Sequence, residues 1–217
     1  MLRELHAVSS AGCRRCHTRP VANTQSKWHC VAWRQLFGTI VSTTLYSAFV
    51  PVFIHYLQQL HSTLAVAENH ERRTGRALIG AALAEGMFPF AQQVTTACGF
   101  TVRAVCPLLG ADLPVLAGGD QDWNALRLRI QATVSFLEQV PADKINAAEE
   151  RQIVTTAGLV SPVFSGSDYA LSYALPNFFF HLVTAHSILR SHGVPVGKED
   201  FDGYHQYQAG FSFPQTK

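Results

Sequence analysis

The chain has 217 residues, 47% of them hydrophobic, which is enough to bury one full core and too apolar for a disordered polymer. Its net charge of +2 conceals an asymmetry: residues 1–40 carry six basic side chains against Glu4 alone, whereas the other 177 residues carry 11 basic and 14 acidic ones. A basic tract attached to a mildly acidic body, with no basic face in the part that folds, argues against a nucleic-acid partner.

Residues 1–40 lack sustained periodicity and read as a disordered extension, either a transit segment or sequence upstream of the domain. Their removal is expected to leave thermal stability nearly unchanged. No secretory signal pattern is present, so a cytoplasmic protein is expected. Within this tract Cys13-Arg-Arg-Cys16-His17 matches the spacing for covalent haem attachment, and the same thiols with His29 and Cys30 suit a tetrahedral zinc ion. Both readings need an organised domain around them, which this segment does not supply, and a chance spacing is the reading preferred to either.

No charged side chain occurs from Gln35 to Ala67, yet the stretch contains Pro51, His55, Gln58, Gln59 and His61, and its apolar residues recur at helical spacing. An amphipathic helix over residues 44–67, with Leu45, Phe49, Val52, Tyr56, Leu60 and Leu64 on its core face, is expected rather than a membrane span. Glu68 to Gly75 reads as a charged turn, and a short helix follows over residues 76–84. Met87 then opens a second long helix to about Cys106, with Pro89 in its first turn and Pro107 and Gly110 ending it. A Gly-, Pro- and Asp-rich loop over residues 110–119 precedes a third helix from about Asp122 to Val140.

Residues 151–165 contain two β-branched runs around Gly158, which predict a small hairpin, and Ser165-Gly-Ser-Asp168 is a capping box that starts a fourth helix. Four apolar-faced helices on short or medium connections make an all-α bundle. In the fourth helix Tyr173, Asn177 and His181 fall in one row with Thr184 beside it, an expensive set of polar groups for an apolar helix unless each is satisfied. Pro176 interrupts that row and is expected to kink the helix and free the carbonyl of Ser172. The freed carbonyl would wall a polar pocket, or the kink would only shape packing. His181 and His186 are five apart, about 140° around a helix, and do not form a chelating pair. His55, His61 and Gln93 are the residues on other helices that would have to converge on His181 to hold a metal. Cys98 and Cys106 read as small buried residues.

Taken together, Leu45-Tyr46 with Val50-Pro-Val-Phe53, Met87-Phe-Pro-Phe-Ala-Gln-Gln93, and Ala174-Leu-Pro-Asn-Phe-Phe-Phe-His181 running on to Gly193-Val-Pro-Val-Gly-Lys198 resemble the domain of unknown function numbered nineteen-ninety-three, placed among the DinB-like bundles. The resemblance covers about residues 42–203, so the domain is taken as 41–203 with a tail over 204–217. It implies an up-down-down-up four-helix bundle. DinB-like relatives commonly carry a three-histidine metal site, one ligand on the second helix and an H-x3-H pair on a later one. Here the partner position of His181 is Ala185, and the second helix offers Gln93 and Met87. The resemblance therefore assigns Gln93, Asn177 and His181, joined by Tyr173 from the polar row, to a degenerate pocket for a small molecule, with His181 the sole candidate for a divalent metal. A metal-dependent transferase or hydrolase is the alternative function, and an outer face that forms a homodimer is also expected.

Overall fold

In the computed structural model, which describes residues 43–208 and Phe211, the first helix, α1, spans Leu45–Thr74. Thr44 and Ser47 cap its start reciprocally, each hydroxyl accepting the other residue's backbone N–H. The expected turn at residues 68–75 is instead helical, because the acidic side chains there have partners on later elements. Arg127 pairs with Glu68, while Glu71 accepts from the Trp123 indole at 3.2 Å and from the Leu78 amide at 2.7 Å. The helix stops at Gly75, whose φ of 68° places it in the left-handed conformation that glycine adopts without steric cost.

The short helix expected over residues 76–84 does not form, since the backbone there is committed elsewhere. Pro89, at the start of the second helix, has no side chain that caps, and the carbonyls of Ile79 and Ala81 accept from Ala91 and Phe90 in its place. This helix, α2 (Phe90–Leu109), runs past the expected end at Cys106 and contains Pro107 in its last turn. Pro107 has no N–H for the carbonyl of Arg103, and the Tyr169 hydroxyl donates to that carbonyl at 2.8 Å. The next helix, α3, spans Trp123–Glu138 and is capped by Asp122, which accepts from the Ala125 amide at 2.8 Å. A short helix not anticipated from the sequence, α4 (Ala142–Asn146), places Asn146 to accept from the Tyr46 amide at 2.9 Å.

The hairpin forms as expected, with β1 (Ile153–Val154) antiparallel to β2 (Val163–Phe164). Ser165 then accepts from the Asp168 amide and starts a helical stretch in three parts: α5 (Gly166–Asp168), a π turn (Tyr169–Ala174) and α6 (Leu175–Ser191). In the π turn the Leu175 N–H reaches back five residues to Ala170. Pro176 thus becomes the second residue of α6, where a missing N–H is tolerated, rather than a break inside a helix. Another short helix, α7 (Lys198–Asp202), packs on α1.

The helices form a bundle with a small two-stranded sheet, and the described residues belong to one compact unit. Buried alanines on α2 (Ala91, Ala97, Ala104) and on the facing stretch (Ala170, Ala174, Ala185) let α2 and α6 approach along their length. Aromatic pairs join α1 to α6, with Phe53 against Phe178 at 4.8 Å and Tyr56 against Phe179 at 4.9 Å. No helix among the described residues is long and apolar enough to cross a membrane. The haem or zinc motif of Cys13, Cys16, His17, His29 and Cys30 lies outside the described residues.

Candidate functional site

The α2–α6 seam brings together two of the four residues singled out from the sequence. Gln93 and His181 are both buried, and their side chains meet at 2.7 Å between Oε1 and Nδ1. The amide orientation is fixed at its other end, because Gln93 Nε2 donates to the carbonyl of Phe88 at 3.2 Å. Oε1 therefore faces the imidazole, which must carry its proton on Nδ1 to donate there. His181 Nε2 keeps a lone pair, has no hydrogen-bond partner among the described residues, and is not sealed from the surface.

Aromatic rings confine this imidazole. Phe100 stacks on one side at 5.4 Å and Phe88 lies near-parallel at 6.2 Å, while Phe180 approaches edge-on at 5.2 Å. Phe88 and Phe180 are 43% and 59% exposed, so the imidazole lies under an apolar patch that is open to solvent. The guanidinium of Arg103 lies over the Phe100 ring, 4.0 Å from its centroid. Burial, reinforced by the positive charge of Arg103, lowers the His181 pKa from its ordinary value. The side chain is thus a neutral imidazole of defined tautomer presenting one acceptor.

Asn177 and Tyr173 do not complete the row. Asn177 turns back along its own helix and donates from Nδ2 to the carbonyl of Tyr173 at 2.7 Å. Tyr173 packs in an aromatic group with Phe164 and Tyr169 at 5.4 and 5.6 Å, and reaches the His181 neighbourhood only through Phe100, 6.3 Å away. Thr184 donates to the carbonyl of Phe180. The expected polar wall at the Ser172 carbonyl is not built: among the described residues no side chain donates to it, Asn177 bonds the Tyr173 carbonyl instead, and Pro176 follows directly on a π turn. A proline does free a carbonyl for a side chain in this fold, but it is Pro107 and the acceptor is Arg103.

The other histidines lie on different seams. His55 bonds the carbonyl of Asp202 at 2.6 Å and stacks on Tyr204, His61 meets Gln131 at 3.2 Å, and His186 packs against Phe201. None of them converges on His181. Among the described residues no group of three or more His, Cys, Asp or Glu side chains is placed to hold a metal ion. At the His181 site the donor set is one imidazole nitrogen, with Gln93 Oε1 already engaged and Ala185 fully buried where a second histidine would be needed. These residues do not fit a resident divalent ion. The thiols are no better suited as ligands: burial raises both pKa values, that of Cys98 to about 12.

Phe88, Phe100, Phe180 and Arg103 surround the imidazole and were not anticipated. The signal was present for Phe100, which follows Gln93 by seven residues and so shares its helix face. Phe88 precedes α2 and depends on the loop course, which local sequence does not specify.

Comparison with known proteins agrees with this architecture. Residues 45–202 match the family described as Domain of unknown function (DUF1993). No curated protein matches the chain. A DinB family member protein from Shewanella denitrificans, solved as a crystal structure, is 30% identical with a TM-score of 0.66, and the match covers 76% of this chain and 95% of that one. The chain belongs to the DUF1993 family and has a DinB-like four-helix-bundle fold.

Proposed function

We propose that the protein binds a small, largely apolar molecule over the α2–α6 seam, with His181 Nε2 accepting a hydrogen bond from an O–H or N–H of the ligand. The observation that carries this reading is the Gln93–His181 pair, in which the amide holds the Nδ1 proton and leaves Nε2 as an acceptor beside the exposed rings of Phe88 and Phe180. Such a combination of apolar lining and one oriented polar group is how small-molecule sites fix the pose of a ligand. Phenol is the simplest probe with both features. Titrated into ¹⁵N-labelled protein, it is expected to shift the His181 Nε2 resonance saturably, and His181→Phe, which keeps a ring in the stack, is expected to abolish the response. Phenol binding unaltered by that substitution would remove the imidazole from the reading.

A metal-dependent transferase or hydrolase centred on His181 is the competing function. It would be favoured by stoichiometric zinc, nickel or iron in the purified protein that disappears in His181→Ala. The present reading expects equal, substoichiometric metal in both. A cytoplasmic protein belongs to the same proposal, supported by Cys98 and Cys106 being free thiols.

A further inference from the structure

The opposite flank of α2 borders a cavity of about 400 Å³, within the size range of small-molecule sites. Its walls are α2, α3 and the loop over residues 111–120 that joins them, and His181 is not among the residues that line it. Two guanidiniums line it, Arg103 from α2 and Arg129 from α3, and neither has a carboxylate within ion-pair distance among the described residues. Arg129 is held in place by its Nη2, which donates to the carbonyl of Gly118 at 2.7 Å, while its buried Nε has no hydrogen-bond partner among the described residues. Neither positive charge is compensated by a carboxylate at ion-pair distance among the described residues, and an anion in the cavity would supply the compensating charge through charge-assisted hydrogen bonds.

The rest of the lining narrows the chemistry. Val102, Leu113, Pro114 and Leu116 form an apolar wall, and Leu113 is 57% exposed although it is a large aliphatic side chain. Asp120 is the one acidic group lining the cavity and disfavours a multiply charged anion there. Gly99 leaves the α2 wall bare: a methyl group added there would meet only the Arg103 guanidinium, at 3.9 Å. We propose that this cavity is a second binding site, for a small organic carboxylate whose single negative charge sits between Arg103 and Arg129 and whose hydrocarbon part lies on Val102 and Leu116.

Hexanoate, hexanamide and inorganic phosphate are suitable probes, each titrated into the full chain by calorimetry. Hexanoate is expected to bind saturably at one site, and its affinity to fall at least about tenfold in Arg103→Gln and in Arg129→Gln, the loss of one charge-assisted hydrogen bond. Gly99→Leu replaces a helical glycine by a better helix former and fills the cavity, so it is expected to keep or raise the melting temperature while abolishing hexanoate binding. His181→Phe is expected to leave hexanoate binding unchanged, which separates this proposal from the His181 reading. Hexanamide binding as tightly as hexanoate, phosphate binding more tightly than hexanoate, or hexanoate binding unaffected by Gly99→Leu would each overturn it, as would the absence of any hexanoate binding.

Discussion

The two flanks of α2 solve the problem of a polar group near a core in opposite ways. On the inner flank, Gln93 Oε1 accepts from His181 and Gln93 Nε2 donates to the Phe88 carbonyl, so that one acceptor, His181 Nε2, is left over. On the outer flank, Arg103 and Arg129 line a cavity whose one acid, Asp120, is not at ion-pair distance from either among the described residues, and the excess is of donors. A satisfied pair can be maintained by the fold alone, whereas two guanidiniums without an ion-pair partner among the described residues, beside a space of ligand size, leave positive charge available to an anion. The inner flank is built from two helices in direct contact. The outer one depends on a loop.

That dependence gives the largest expected effect. Gly118 has a φ of 77°, and a side chain there would begin 2.3 Å from the carbonyl oxygen of Ala125 and 2.4 Å from the amide of Arg129, both backbone atoms of α3. Gly118→Val is expected to cost about 2–3 kcal/mol or to lift the loop away from α3, because neither backbone atom can retreat without breaking the helix. Amide exchange over residues 111–120 should accelerate and hexanoate binding should disappear, while the His181 Nδ1–H resonance stays where it was. Loss of that resonance as well would show that the two flanks are one cooperative unit.

A smaller effect is expected on the inner flank. Gln93→Leu leaves the Nδ1–H of His181 buried without an acceptor and is expected to cost about 1–3 kcal/mol in chemical denaturation. Adding His181→Phe removes the orphaned donor and places a ring between Phe88 and Phe100, so the double variant should recover most of that loss. A double variant weaker than Gln93→Leu would mean that the imidazole contributes through contacts other than the Gln93 bond.

The same division explains what could be read from the sequence. The bundle, the hairpin and the Ser165 cap were legible because each rests on local pattern: core stripes in the helices, β-branched runs around Gly158, and a hydroxyl three residues before an acid. Gln93 and His181 stood out because polar residues on apolar faces are conspicuous. Asn177 stood out equally, but its side chain turns back to the Tyr173 carbonyl of its own helical stretch, a rotamer choice that residue spacing does not specify. The true end of α1 was hidden because Glu68 and Glu71 read as turn residues until Arg127, Trp123 and Leu78 are placed beside them. Arg103 and Arg129 were invisible as a pair, since on separate amphipathic helices each reads as an ordinary solvated charge.

Electrostatic coupling between the flanks is the smallest effect and the most direct measure of how far they are independent. Arg103 belongs to both, lining the outer cavity and lying over the Phe100 ring that stacks on His181. Burial is the main reason the His181 pKa lies below its ordinary value, and the positive charge of Arg103 is the second. A histidine with a lowered pKa in the folded state binds protons less readily than the unfolded chain does. The stability it contributes is therefore present above the unfolded value of about 6.5 and is lost as pH falls from there toward the folded pKa. Arg103→Gln removes a charge that opposes protonation, so the His181 pKa should rise while remaining below the unfolded value, because burial persists. His61 and His186 are also lowered by burial, with Arg127 and Arg190 rather than Arg103 as their nearby cations, and serve as internal references. In an NMR titration His181 alone should move upward, and the loss of stability on acidification below pH about 6.5 should become shallower. An unchanged His181 titration would mean that the Phe100 ring and the intervening solvent screen the two flanks from each other, and that a ligand on one side of α2 has no electrostatic route to the other.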